Sequence, residues 1–389
     1  MNAFSPIKLR NLELKNRFIK TATYEGMSRD GLPDERLYKL HASMAANEVA
    51  LTIVAYGAVN EDGLTHEDQM VIDETAIPYL ERLAGEVHAN GGKIAIQLTH
   101  CGYFTRSTRY KSKKPLGPSR TLNKYGIMKC RPYSKAMTQT DIDRTIADFS
   151  RAAKVSKQCG FDAVEVHMGH GYLLSQFLSP AINKRKDRYG GSLENRIRLP
   201  LEIVNAIRTA VGDDFPILVK INLDDDFKNG FTLPECIKVV QMLDTHGVDA
   251  VMLSGGFTSL TPFYLMRGEI PLKEMVESEP NYLQKLALRF FGRTIIKKYD
   301  FEENFFLEKA LKVRKSTKMK LVYVGGIVSA KGIQEVMDAG FDMIAMGRAL
   351  IAEPDFLKKI KENTEHRSPC DQCNKCVGYM ELKGIECVL

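Results

Sequence analysis

The feature of this sequence that most restricts its fold is an eightfold alternation. From about residue 18, short apolar runs rich in β-branched residues alternate with longer amphipathic stretches, the pattern left by parallel strands crossed by helices. The runs lie at 17–21, 51–55, 93–98, 163–167, 217–221, 250–254, 321–324 and 343–346. Each is nearly continuous in apolar character, as strands covered on both faces are. Between them, helical patterns fall at 35–46, 77–89, 140–159, 193–211, 233–245, a stretch within 282–316, 330–338 and 354–361. Thr140 with Asp143 reads as a capping box, and Gly160, Gly247 and Gly340 stand just past helix ends. Eight such units predict closure into an α/β fold, a single-domain (β/α)8 TIM barrel over 1–365, followed by a Cys-rich tail at 366–389. An open doubly wound sheet is the alternative, but its G-x-G-x-x-G turn after the first strand is missing, as is any G-x-x-x-x-G-K-[ST] loop.

Length alone does not choose between one domain and several, because barrels with insertions reach 389 residues. With 44% apolar and 26% charged residues the chain has ample material for a core. Its net charge of +7 is scattered over the chain, which argues against a nucleic-acid partner. The N-terminus has no apolar signal region, and no stretch approaches the roughly 20 apolar residues of a membrane helix, so a cytoplasmic protein without a membrane partner is expected. Four of the eight Cys stand alone and four crowd the last 20 residues, unlike a secreted disulfide framework.

In a barrel, residues just after the strands face the active site. After the fourth run comes His167-Met168-Gly169-His170-Gly171-Tyr172, two imidazoles and a phenol at one strand end. The two His could be metal ligands or a structural pair, but no third ligand sits nearby in sequence. After the seventh and eighth runs stand Gly325-Gly326 and Gly347-Arg348. Backbone N–H groups there could approach a phosphate and the guanidinium could clasp it, although tight turns alone would also use such glycines. Ser254, Gly255 and Gly256 after the sixth run could add donors.

The segment from His167 to Arg198 reads HMGHGYLLSQFLSPAINKRKDRYGGSLENRIR. With NRF at 16–18, QLTHCG at 97–102, YVGGI at 323–327 and MGRALIAEPDF at 346–356, it closely resembles the old yellow enzyme family over essentially the whole chain. The resemblance implies an FMN-binding barrel acting as an ene-reductase: hydride would pass from NAD(P)H through the flavin to a small-molecule alkene bearing an electron-withdrawing group. It implies that Gln97 hydrogen-bonds the pyrimidine edge of the isoalloxazine and that Ala22, Thr23 and Gly57 line it. Lys220 stands where many relatives carry Arg, and would stabilise the anionic reduced flavin as a point charge. His167 and His170 would polarise the substrate oxygen, and Tyr172 would protonate the α-carbon.

Two features depart from that pattern. Tyr24 occupies the position where many relatives place Thr or Cys against the flavin, and the Thr21-Ala22-Thr23-Tyr24-Glu25-Gly26 form resembles the flavin domain of larger enzymes such as dienoyl-CoA reductases and trimethylamine dehydrogenase. Those relatives carry a 4Fe-4S cluster after the barrel, and here Cys370, Cys373, Cys376 and Cys387 have similar spacing; a cluster, zinc or a metal-free remnant are the alternatives. An amine dehydrogenase or demethylase of the same barrel, and a flavin electron-carrier subunit, stay open as other functions. A homo-oligomer also stays open. The basic run Arg106, Arg109, Lys111, Lys113 and Lys114 reads as a solvated loop, with a contact to the NADPH 2'-phosphate or an acidic substrate as the sharper reading. The long connection 262–319, with Met266, Arg267 and Gly268 near its start, could cap the pocket.

Overall fold

The computed structural model describes residues 2–109, 111–112 and 114–389, the Met128 side chain aside, so Lys113 of the basic run lies outside the described residues. Eight strands form a closed parallel barrel: β1 (Phe18–Lys20), β2 (Leu51–Ala58), β3 (Lys93–Thr99), β4 (Ala163–Met168), β5 (Ile217–Asn222), β6 (Ala250–Ser254), β7 (Leu321–Val324) and β8 (Met343–Met346), with β8 closing onto β1. The (β/α)8 expectation holds.

Period-two alternation explains why each strand is apolar throughout. Ile19, Ile53, Ala95, Ala163, Leu218, Ala250, Met252, Val322, Met343 and Ala345 point into the barrel and pack together. Their neighbours Phe18, Val54, Ile96, Val164, Val219, Val251, Tyr323 and Ile344 point outward into the core beneath the helices. An antiparallel hairpin, Ile7–Leu9 with Leu12–Leu14, adds Leu9, Leu12 and Leu14 to the inner cluster and closes the N-terminal end of the barrel. Toward the C-terminal end the inward positions turn polar: Gln97, Glu165, His167, Lys220 and Ser254.

The outer helices are α1 (Glu35–Ala46), α2 (Ile77–Ala89), α3 (Gln139–Gln158), α4 (Arg198–Val211), α5 (Leu233–Asp244), α6 (Leu307–Arg314), α7 (Ala330–Asp338) and α8 (Phe356–Glu362). Three differ instructively from the sequence expectation. The box on α3 is Thr138 with Asp141, each bonding the other's backbone, whereas Asp143 accepts from Gln139. The helix expected at 193–211 breaks at Ile197 into Leu193–Arg196 and α4, where Pro200 supplies no N–H to bond back across the junction. The stretch 282–316 holds two helices: Tyr282–Ile295 lies over the barrel mouth and α6 packs on the wall through Ala310 and Val313. Gly160, Gly247 and Gly340 do take the positive φ of helix ends, at 84°, 76° and 83°. No helix among the described residues is long and apolar enough to cross a membrane.

The Cys-bearing segment packs onto the same mouth. Asn374 donates to the carbonyls of Met266 (2.7 Å) and Glu269 (2.8 Å), and the Ile385 N–H to that of Glu25 (2.6 Å). Its helix, Lys375–Lys383, rests on the helix Leu272–Ser278, where Ser278 donates to the Gly378 carbonyl.

Candidate active site

At the end of β4 the chain turns sharply. His170 holds φ +58° and Gly171 φ +80°, and the His170 N–H donates to Asn222 Oδ1 at 2.9 Å. A Cβ on Gly171 would come within 2.4 Å of the Phe257 ring, so only glycine fits there. This turn aims His167, His170 and Tyr172 into one cavity of about 620 Å3. The His167 ring lies 5.0 Å from that of His170 and 4.7 Å from that of Tyr172. His167 Nδ1 accepts from the Gly169 N–H (3.3 Å), which places the proton of the neutral ring on Nε2. His170 Nε2 meets Ser254 Oγ at 2.7 Å.

Burial is the first cause of the electrostatics. It pushes the His167 imidazole well below its usual range, with His170 and Lys220 adding to the effect, and it lowers His170 to about 3, again with Lys220. Both rings are therefore neutral hydrogen-bonding groups. Burial and the neighbouring Tyr56 raise the Tyr172 phenol well above its usual value, so it keeps its proton. Among the described residues no group of three or more His, Cys, Asp or Glu is placed to hold a metal ion, so the His pair acquires no third ligand.

One layer below, Glu165 Oε1 accepts from Gln97 Nε2 (2.6 Å) and pairs with Lys220 Nζ (3.1 Å), while Lys220 also donates to Thr21 Oγ1 (2.9 Å). Burial pulls the Lys220 ammonium down and Glu165 pushes it back up. Gln97 and Lys220 line the cavity, with Ala22, Thr23, Tyr24, Ser254, Gly325, Gly326, Gly347 and Arg348. Gly57 and Gly255 do not. A Cβ on Gly57 would meet Ile72 at 2.4 Å, and one on Gly255 would meet Tyr264 at 2.9 Å, so both serve close packing behind the wall.

The glycines after β7 and β8 make a cradle. Gly326 has φ +82°, and a Cβ there would strike the Phe305 ring at 2.6 Å. Arg348 is held from behind, Nη1 donating to the Arg267 carbonyl at 2.8 Å and to Asn374 Oδ1, so one arm of the clasp expected from the sequence is already engaged. Thr23 Oγ1 is buried at the cavity wall without a partner. An unpartnered hydroxyl, a glycine cradle and a guanidinium at one end, with an amide and an ammonium at the other, fit a ligand that combines a phosphate with a polar ring such as FMN.

Sequence reasoning missed part of the wall. Tyr56, His66, Phe104 and Tyr125 line it, and Tyr24 lies 5.6 Å from Tyr56 and 4.8 Å from His66, ring to ring. Their only sequence signal is an excess of aromatics after the second and third strands. Of the described residues of the basic run, Arg106 lines the cavity, paired with Glu381 at 3.0 Å. Arg109 and Lys111 pair with Glu61. Val377, Met380 and Glu381 of the Cys-bearing segment also line the cavity.

Cys370, Cys373, Cys376 and Cys387 converge on a second, small cavity of about 20 Å3. Arg348 is the one side chain among the described residues that borders both cavities. Burial lowers its guanidinium, while Cys370, Cys376 and Cys373 act in the opposite sense.

Comparison with known proteins agrees with this geometry. The chain is 39% identical to a 4,4'-dithiodibutanoate disulfide reductase of Rhodococcus erythropolis, over 99% of this chain and 94% of that protein. It is 30% identical to an NADH oxidase of Thermoanaerobacter brockii over 99% of this chain but 54% of the other, so it spans about half the length of that relative. Among solved structures, a 2-naphthoyl-CoA reductase complex superposes with a TM-score of 0.81 at 25% identity, covering 97% of this chain and 55% of that one. Morphinone reductase, at 22% identity and TM-score 0.73 over 96% and 94% of the two chains, shares the fold. The family model described as NADH:flavin oxidoreductase / NADH oxidase matches residues 2–257 and 274–367. The chain therefore belongs to that family, the old yellow enzyme barrels, and is an NAD(P)H:flavin oxidoreductase.

Proposed function

We propose that this enzyme reduces an electron-poor alkene, an α,β-unsaturated carbonyl or its equivalent, with NAD(P)H as reductant. The observation that carries the reading is the placement of two neutral imidazoles and a protonated phenol around one cavity. Bound FMN supplies a hydride relay between nicotinamide and substrate. His167 through Nε2–H, and His170 beside Ser254, donate to the substrate oxygen and draw charge away from the β-carbon. Tyr172 delivers its proton to the α-carbon. Gln97 and Lys220 would hold the ring of the cofactor, and the cradle after β7 and β8 its phosphate. The test is anaerobic: protein reduced with NAD(P)H is mixed with 2-cyclohexenone, and return of the oxidised flavin absorbance is followed. Tyr172→Phe should slow that return about 10²–10⁴-fold with cofactor binding intact. A wild-type rate from the variant would refute the donor role.

The full-length similarity to the disulfide reductase favours a second reading, reductive cleavage of an organic disulfide to two thiols, with NAD(P)H giving a hydride, two electrons and one proton, and water the second proton. Adding 4,4'-dithiodibutanoate to the same reduced protein separates the two. An amine that bleaches the oxidised protein would instead support the dehydrogenase alternative.

The tail thiols are proposed to hold a 4Fe-4S cluster. The Cys370-x2-Cys373-x2-Cys376-x10-Cys387 spacing and the lining of one small cavity by all four thiols support this, although among the described residues they do not form a group placed to hold a metal ion. Iron and acid-labile sulfide near four of each per chain, in protein purified without oxygen, is the expected result. Cytoplasmic location and assembly with further copies remain proposals of the sequence alone.

A further inference from the structure

Among the described residues, Glu165 is a carboxylate inside the barrel wall to which the proposed reaction gives no role. It lies on β4 two residues before His167, so both point inward, with Glu165 a layer deeper. It is fully buried, and its Cα pairs in register with that of Gln97 on β3. Oε1 takes both the Gln97 amide (2.6 Å) and the Lys220 ammonium (3.1 Å), and Oε2 is buried with no partner.

Two consequences follow from elementary chemistry. A carboxylate only accepts, so the Gln97 NH2 must face it and the amide oxygen must face the cavity. An amide free to turn would present either atom. A carboxylate 3.1 Å from the ammonium also offsets the burial that would strip Lys220 of its proton. Without it, burial would pull the ammonium down unopposed and weaken the charge the cavity sees.

We propose that Glu165 is a positioning residue for the flavin: by holding Gln97 and Lys220 at once, it presents one acceptor and one cation to the pyrimidine edge of FMN. This rests on the FMN reading above and adds a residue which that reading leaves idle. The group needed at the cavity is the pair, and Glu165 fixes both members from behind without lining the cavity itself.

The test uses purified holoenzyme and its variants, with FMN affinity and the reduction potential of bound FMN as readouts. Glu165→Gln keeps the shape and loses the charge. Its FMN affinity should fall at least tenfold, because the Gln97 amide can now turn. Its bound FMN should become harder to reduce by at least tenfold in the oxidised-to-reduced ratio, about 30 mV for a two-electron couple. Glu165→Asp, which keeps the charge, should restore most of the potential. In a Lys220→Met background, adding Glu165→Gln should change the potential less than twofold, since the charge effect runs through Lys220. Wild-type affinity and potential in Glu165→Gln, or a full shift that persists in the Lys220→Met background, would overturn the proposal while leaving the flavin reading intact. Wild-type protein that takes up no FMN would end both. If Glu165→Gln alone does not fold, the double variant, which removes the ion pair as a unit, carries the same comparison against Lys220→Met.

Discussion

The barrel wall carries two buried Lys–Glu pairs on opposite sides. Lys20 and Glu25 sit outside, beneath α1, where the Ala55 N–H donates to both Glu25 oxygens (3.2 and 3.0 Å) and the Ile53 carbonyl receives Lys20 at 3.3 Å. His41, bonded to Thr52 at 2.7 Å, packs beside the pair with its Nε2 3.5 Å from Glu25 Oε1. Lys220 and Glu165 sit inside, with one carboxylate oxygen unpartnered and the ammonium facing the cavity. The outer pair is closed, with each carboxylate oxygen engaged by the protein. The inner pair is open, and an open buried pair is costly unless something completes it. Incomplete satisfaction, more than burial, separates a charge that holds the fold from one that waits for a ligand.

The largest effect should come from breaking the closed pair. Glu25→Ala strands the Lys20 ammonium in a dry site and should cost about 3–5 kcal/mol, read from urea unfolding. Glu165→Ala should cost less than half as much, because the cavity gives Lys220 access to water. Equal costs would break the comparison.

Titration should sharpen it. Burial lowers His167 and His170 far below the usual imidazole range, so both stay neutral when folded while their unfolded forms take up protons below about 6.5, and it lowers His41 in the same direction. More protons bound in the unfolded state means stability that is complete above about 6.5 and lost as pH falls, for His170 down to about 3. Each such His removes about 1.4 kcal/mol per pH unit across its window. His170→Asn, a residue that tolerates positive φ, should make the decline between pH 6.5 and 5 shallower by roughly that amount. An unchanged slope would mean that the cavity solvates His170 when it charges.

Ser254→Ala is the smallest change. It removes the partner of His170 Nε2, a hydrogen bond worth about 1 kcal/mol, and should raise KM for an enone about fivefold while kcat changes little. A kcat effect larger than the KM effect would mean that Ser254 acts in the transition state.

The alternation that marked the barrel in the sequence was strong because it recurs eight times with one period, and three of the strands, β6 to β8, keep the boundaries read from it. The polar cluster opening at His167 was equally plain, since imidazoles after an apolar run stand out, whereas Gln97 and Lys220 were read from the family resemblance. Gly57 and Gly255 pack beneath Ile72 and Tyr264 away from the cavity lining, a placement the sequence does not reveal because a glycine lining a ligand and one packed beneath a neighbour look alike in it. The wall formed by Val377, Met380 and Glu381 was invisible for the same reason: it reaches the cavity from the far end of the sequence. Glu165 could have been found, as a lone carboxylate spaced two residues from His167 in a strand otherwise made of Ala, Val and Met.

Arg348 touches both the flavin cradle and the four thiols, so an anion seated in the cradle and negative charge gathered on the sulfurs draw on one guanidinium. Such rivalry is mutual by thermodynamic necessity. Whatever negative charge on the sulfurs loosens phosphate must, by the same factor, be disfavoured once phosphate is in place, so the cradle and the Cys-bearing segment communicate through a single side chain.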